Sequence, residues 1–262
     1  MKKDKGVTIA AEALWQAERA ATPCDPIHEY LKDGDLDAAY AVQQVNIERR
    51  LAQGGRLIGR KIGLTAKAVQ VQMGVDQPDF GTLLSDMIVG DGGTIPADRV
   101  LQPKVEAEIA FILGNNLDIE HPNAADVLRA TAFIAPAIEI VDSRIAGWKI
   151  NLLDTIADNA SSGLLVMGSP TRSPLEFDFT GCQMKMALNG ETVSTGIGAA
   201  CMGSPVAAVA WLAERMRDNG TPLLAGQIIL SGALGPMAPV TGEATVRTTI
   251  DGLGHVSVTF TE

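Results

Sequence analysis

Histidine and cysteine are scarce in this 262-residue chain, three of each, and neither clusters. His28, His121 and His255 lie far apart, and Cys24, Cys182 and Cys201 show no C-x-x-C spacing. A zinc site of imidazole and thiolate is thereby disfavoured, and a histidine-based triad has thin support. Few, odd-numbered, scattered cysteines indicate free thiols in a reducing compartment rather than a disulfide scaffold. Positive charge is also short: 21 Lys and Arg stand against 31 Asp and Glu, a net charge of −10. That balance argues against nucleic acid or an anionic membrane surface as partner. No apolar run approaches membrane-spanning length. The basic start "MKKDKG" is followed by Glu12, Glu18 and Arg19 where a signal peptide needs an apolar stretch. The expectation is a soluble, cytoplasmic protein, in which an anionic substrate needs a local positive charge from a metal ion or a lysine.

What is present is apolar bulk, 46% of residues, enough for one large domain or one domain with a small appendage. The first fifty residues read as helices. In "DLDAAYAVQQVNIERRLAQGG", Leu36, Tyr40, Ile47 and Leu51 form a stripe, Asp35 can cap the start and Gly54-Gly55 can end it. "RLIGRKIGLT" then reads as a strand, "AKAVQVQMG" as a short helix closed by Gly74, and "VDQPDFGTL" as a loop. Strand patterns follow at 104–113, 133–142 and 163–167. "CQMKMALNGETVSTG" is a hairpin turning at Asn189-Gly190. "SPVAAVAWLAERMRDNG" is a helix capped by Ser204 and Pro205 and left at Gly220. "QIILSGALGPM", "EATVRTTI" and "HVSVTF" complete a strand-rich C-terminal half. The fold class is α+β: helices over 1–55, then a largely antiparallel β-rich body over 56–262, one continuous unit.

The stretch "KVEAEIAF" places Glu106 and Glu108 on one face of a strand, with Lys104, because side chains alternate. This pattern admits a solvated face or a pair of metal ligands whose mutual repulsion a cation would remove. "AFIAPAIEIVDS" sets Glu139 in an almost wholly apolar strand. Burying it requires a partner, for which Arg144 and Lys149 are candidates, or a metal; the alternative is a solvent-facing position. Three glutamates without histidines are hard oxygen ligands suited to Mg²⁺ or Mn²⁺. Three protein ligands leave positions for a bidentate 2-oxo acid, and such a site stabilises an enolate.

Lys61 in "GRKIG" has Gly59 and Gly63 on its own face, which clears room beside it for a ligand. Asp79 in "DQPDFG" reads either as an acid–base group or as turn chemistry. "ADNASSG", with Asn159 and Ser161, can donate to a substrate carboxylate or simply cap a connection. "SGALGP", beginning at Ser231, can cradle an anion with backbone amides but lacks the lysine and spacing of a phosphate loop.

Taken in order, "GRKIGLT", "MGVDQPDFGTLLSDM", "LQPKVEAEIAF", "PAIEIVDSRI", "DTIADNAS" and "LSGALGPM" resemble the 2-hydroxypenta-2,4-dienoate hydratases (2-keto-4-pentenoate hydratases) of the fumarylacetoacetate hydrolase superfamily. The resemblance implies a mixed β-sandwich or roll with a small N-terminal helical part, assembled into homo-oligomers. It implies Glu106, Glu108 and Glu139 as ligands of Mg²⁺ or Mn²⁺, and Lys61 and Asp79 as catalytic groups. Ser161 falls near the substrate carboxylate, with Asn159 and Ser231 in the substrate site. The implied reaction adds water to 2-hydroxypenta-2,4-dienoate, giving 4-hydroxy-2-oxopentanoate, in meta-cleavage catabolism of aromatics. The sister 4-oxalocrotonate (2-oxo-3-hexenedioate) decarboxylases share this metal set, but they tend to carry an apolar residue where Asp79 stands. A non-enzyme alternative is a metal-binding stimulatory subunit in complex with a neighbouring pathway decarboxylase. A C–C bond hydrolase of the superfamily would bring a His–Glu pair that these motifs lack.

Overall fold

The computed structural model describes residues 5–67, 70–71, 77–169 and 171–262. Helices α1 (Lys5–Arg19) and α2 (Leu36–Ala52) lead the chain. The Asp35 side chain accepts from the Ala38 N–H, and Gly54 leaves α2 with φ of 98°, so both helix-end expectations hold. The buried face of α2 is Ala39, Val42, Gln43 and Ile47, while Leu51 is 37% exposed. The expected stripe is therefore displaced toward Gln43. That buried amide donates to the carbonyls of Phe80 and Ile156, and Tyr40 stacks on Phe80 at 4.4 Å.

The strands are β1 (Leu57–Gly63), β2 (Asp79–Leu84), β3 (Ile88–Gly90), β4 (Gly93–Pro96), β5 (Pro103–Leu113), β6 (Thr131–Asp142) and β7 (Ser162–Met167). They continue with β8 (Gln183–Leu188), β9 (Glu191–Ile197), β10 (Ile228–Leu230), β11 (Ala238–Pro239), β12 (Ala244–Ile250) and β13 (Gly254–Thr261). One sheet runs β2-β1-β10-β5-β6-β7-β3 with β11 added beside β5; the other runs β4-β13-β12-β8-β9. Most pairings are antiparallel, the exceptions being β1–β10, β13–β4 and β3–β7. Strands β12 and β13 pack across β6, so the two sheets close over one apolar core, as a sandwich requires. Helices α3 (Ala124–Ala130), α4 (Leu152–Ala157) and α5 (Pro205–Asp218) cover its outer faces and ends. The hairpin turns at Asn189 and Gly190, both with positive φ, and Ser204 caps α5.

A second, smaller apolar cluster joins α1 and α2 to Ile145, Leu153, Ile156 and Ala157. The N-terminal helices thus pack against α4, the segment that enters the 158–161 turn. Among the described residues no helix is long and apolar enough to cross a membrane.

Asp79 is not in a loop: it opens β2, where Gly63 pairs with Asp79 and every residue is buried. The run that follows Pro78 is apolar enough to pair with β1. The closure at Gly74 expected for "AKAVQVQMG" lies outside the described residues.

The glycines beside Lys61 also answer to protein rather than ligand. A methyl at Gly59 would lie 1.8 Å from the Ile228 carbonyl oxygen of β10, and one at Gly63 would lie 2.2 Å from Asp79 Oδ1. Gly59→Ala must push β1 off β10, and overpacking of this kind costs about 1–3 kcal/mol or more. A denaturant melt is expected to show that loss, and an unchanged midpoint would refute the packing assignment.

Candidate metal centre and active site

The site grows from one register. In the β5–β6 ladder Glu106 pairs directly with Glu139, and Glu108 lies two residues further along β5 on the same face. The three carboxylates consequently offer oxygens that all lie within 4.8 Å of one another. Glu108 and Glu139 are fully buried and Glu106 is half-buried, which removes the solvated-face alternative for this strand. Like charges placed directly opposite on a sheet repel, and burial sharpens the repulsion.

Neutralising groups are few. Lys61 Nζ of β1 lies 3.1 Å from Glu139 Oε1, an ion pair without hydrogen-bond alignment. The Gly232 N–H donates to Glu108 Oε2 at 2.7 Å. Glu139 therefore pairs with Lys61, not with the expected Arg144 or Lys149, since Arg144 is committed to Asp158. Glu108 Oε1, both Glu139 oxygens and Asp79 Oδ1 are buried without a hydrogen-bond partner. Buried carboxylate oxygens are normally satisfied, so the orphaned oxygens of Glu108 and Glu139, which converge with Glu106, fit a hard divalent cation.

The titration behaviour follows from the crowding. Burial pushes the Glu106 carboxyl up to about 7, with the Glu139 charge adding to it and Lys61 opposing. Burial, then Glu139 and Glu106, hold Glu108 well above the carboxylate range against the Gly232 amide. Burial also raises Asp79, with Lys61 and a hydrogen bond from Thr155 opposing it. Burial alone would discharge Lys61, but Glu139, Asp79, Glu106 and Glu108 together outweigh it and hold the ammonium above the ordinary lysine value.

Around this centre stand the other expected residues. Thr155 Oγ1 donates to Asp79 Oδ2 at 3.3 Å and lies 3.5 Å from Ser161 Oγ, so Asp79, Thr155 and Ser161 form one buried polar chain. Asn159 sits in the same turn, but its amide is spent on Thr82: Oδ1 accepts from the Thr82 N–H and Nδ2 donates to the Thr82 carbonyl. It fixes the turn to β2 rather than presenting a free donor. Gly81 permits this approach, because a methyl there would lie 2.4 Å from the Asn159 carbonyl. Ser231 is buried and its Oγ turns back to the Gly232 carbonyl at 3.4 Å; the neighbouring amide, that of Gly232, is what reaches the centre. Of the loop "SGALGP", one backbone amide, that of Gly232, is turned to the Glu108 carboxyl. On the Glu106 face, the Lys104 ammonium sits 3.9 Å from the centre of the Trp148 ring. Thr155 and the Gly232 amide were not singled out from sequence, although both lie in stretches that were.

The three histidines stay outside. His28 Nδ1 lies 2.6 Å from Asp154 Oδ2 and ties the N-terminal part to α4, His121 pairs with Glu214 on the surface, and His255 is exposed on β13 opposite Thr249 in the second sheet.

Comparison with known proteins follows the same lines. The profile described as fumarylacetoacetate (FAA) hydrolase C-terminal matches residues 56–261. The chain is 52% identical over 252 residues to 2-keto-4-pentenoate hydratase 2 of Dechloromonas aromatica (strain RCB), covering 96% of each. It is 49% identical over 262 residues to 2-keto-4-pentenoate hydratase of Burkholderia vietnamiensis (strain G4 / LMG 22486), covering the whole of both. A solved structure of 4-oxalocrotonate decarboxylase from Pseudomonas putida G7, complexed with magnesium and adipate, matches with a TM-score of 0.92 at 32% identity, covering 99% of each chain.

The metal-free centre carries a pH signature. A carboxyl whose folded value is raised holds its proton more tightly in the folded chain. Its stabilising contribution is therefore full below the unfolded value and is lost as pH rises through the folded one. For Glu106 that window runs from 4.5 to about 7. Stripped of divalent ions, the protein is expected to melt several degrees lower at pH 8 than at pH 5.5. Glu106→Gln should recover roughly 1–3 kcal/mol of that loss at pH 8 while blunting the rise in Tm on adding Mg²⁺. Calorimetric melts with and without the ion decide it, and a metal-free Tm that climbs from pH 5.5 to 8 would refute the crowding account.

Proposed function

The chain belongs to the fumarylacetoacetate hydrolase family, and from that premise we infer that it is a hydratase adding water to 2-hydroxypenta-2,4-dienoate to give 4-hydroxy-2-oxopentanoate in meta-cleavage catabolism of aromatics. The observation that carries the reading is the convergence of three glutamates, two fully buried and one half-buried, beside one charged lysine and one protonatable aspartate, joined to hydratase relatives along the full chain.

Glu106, Glu108 and Glu139 hold a divalent cation, and their all-oxygen set suits Mg²⁺ or Mn²⁺. When bound, the ion supplies Lewis-acid polarisation of the 2-oxo acid end of the substrate. The chain's own groups do the rest. Lys61, kept as an ammonium by its four carboxylate neighbours, is no base at neutral pH; it donates hydrogen bonds and steadies negative charge as the dienol loses its proton. Asp79, raised by burial and oriented by Thr155, is the group suited to carry protons: it gives one to C5 as the 2-hydroxyl proton leaves to solvent and the dienol becomes the conjugated 2-oxo-3-enoate, takes one from the water that adds at C4, passes that one to C3, and is reprotonated from solvent. Ser161 holds the substrate carboxylate from the turn, and Lys104 adds a cation on the Glu106 face.

The sister decarboxylase shares the fold at 32% identity, so chemistry rather than architecture separates the two. The deciding assay gives metal-stripped protein, with and without Mg²⁺ or Mn²⁺, either 2-hydroxypenta-2,4-dienoate or 2-oxo-3-hexenedioate. The expected result is a metal-dependent gain of one water on the first and no CO₂ from the second. Asp79→Asn should lower kcat by about 10²–10⁴-fold with metal affinity kept. CO₂ release from the dicarboxylate would overturn the hydratase reading, and turnover indifferent to stripping would overturn the role of the glutamates.

A further inference from the structure

The turn that carries Asn159 and Ser161 has a backbone that ordinary residues avoid. Asn159, Ala160 and Ser161 have φ of 56°, 53° and 50°, three left-handed residues in succession with no glycine among them. Each crowds its Cβ against a carbonyl oxygen, and such a run persists only where its surroundings impose it.

Arg144 is placed to impose it. Its Nη2 donates to the carbonyl of Asp158 at 2.5 Å, immediately before the left-handed run, and its Nη1 donates to the carbonyl of Ser162 at 2.8 Å, immediately after. Nε and the backbone N–H bind the two carboxylate oxygens of Asp158 at 2.5 and 3.0 Å, and Nη1 also reaches the Asp142 carbonyl at 2.7 Å. Arg144 is 8% exposed and Asp158 2%, so these bonds are shielded from competing water. The planar guanidinium spans both ends of the turn at once.

We propose that Arg144, with Asp158, is a positioning residue for the reaction: it clamps the 159–161 turn so that Asn159 locks onto Thr82 and Ser161 meets Thr155 and, through it, Asp79. The assignment rests on the function inferred above and deepens it. Arg144 touches none of the glutamates. Lysine, with a point charge and no planar fork, cannot bracket two carbonyls and a carboxylate together.

Arg144→Lys is expected to lower kcat/KM about 10²-fold through misplacement alone, to keep Mg²⁺ affinity within roughly twofold because the ligands lie on β5 and β6, and to speed amide exchange across 158–162. In that background Ser161→Ala should add little further loss, since both changes break one unit. Ala160→Gly should restore about tenfold, because glycine takes the left-handed conformation without the Cβ penalty. Wild-type kcat/KM in Arg144→Lys, fully additive losses with Ser161→Ala, or no rescue by Ala160→Gly would each overturn the clamp. Should Arg144→Lys not fold, Asp158→Asn, which keeps the acceptor's shape and removes its charge, takes the same measurements with the same expectations. Amide exchange reports on the clamp without any turnover, so a wild-type protein that hydrates nothing would overturn the function alone.

Discussion

Three carboxylates are forced onto one face of one pair of strands, and the rest of this molecule is arranged around that repulsion. The register that sets Glu106 opposite Glu139 follows from a ladder of β5 on β6 that keeps step from Pro103 to Ile112, and the apolar residues that alternate with the glutamates bury its other face in the core. Slipping the register by one residue would turn the glutamates into the core, so the apolar pattern fixes the acidic one. The cost of crowding is tolerated because Lys61 and the Gly232 amide offset part of it and a cation can offset the remainder. A site assembled this way carries an excess of crowded carboxyl groups, an imbalance that a bound cation would relieve.

Around the charged centre lies a neutral polar layer whose job is placement. Thr155, Asn159, Gln43 and the Arg144–Asp158 pair hold the elements that surround the glutamates. Gln43 bridges β2 and α4; Asn159 stitches the left-handed turn to β2; Thr155 orients Asp79. Glycine serves the same end by omission, with Gly63 and Gly81 making space for the Asp79 carboxyl and for the turn.

Much of this was legible in the residues. Alternation announced β5 and β6, and the poverty of histidine left oxygen as the ligand chemistry. A helix with Ser204 and Pro205 at its head, and a hairpin with Asn189-Gly190 at its tip, read correctly from local chemistry because each is set by a few adjacent residues. Asp79 misled because proline and glycine flank it, and only pairing with β1, twenty residues away in sequence, makes it a strand. Lys61 as the partner of Glu139 was hidden for the same reason, since a distant strand brings it there. The left-handed turn left no local signal: Asn159 tolerates that conformation, but Ala160 and Ser161 adopt it only because Arg144 holds both ends.

The buried amide of Gln43 bears on how separable this architecture is. The matched family segment begins at residue 56, which invites a view of the first fifty-five residues as an accessory that could be exchanged or lost. Yet Gln43 supplies a donor to a strand and to a helix on the far side of that boundary, and the apolar face of α1 and α2 is closed by Ile145, Leu153 and Ile156. Excised at residue 56, the remaining chain would carry two carbonyls stripped of their donor and an uncovered greasy wall behind its active-site turn. The start of the matched segment is therefore no boundary in mechanics, and grafting the β-rich body onto another helical lead would require that lead to carry a buried donor at the same place.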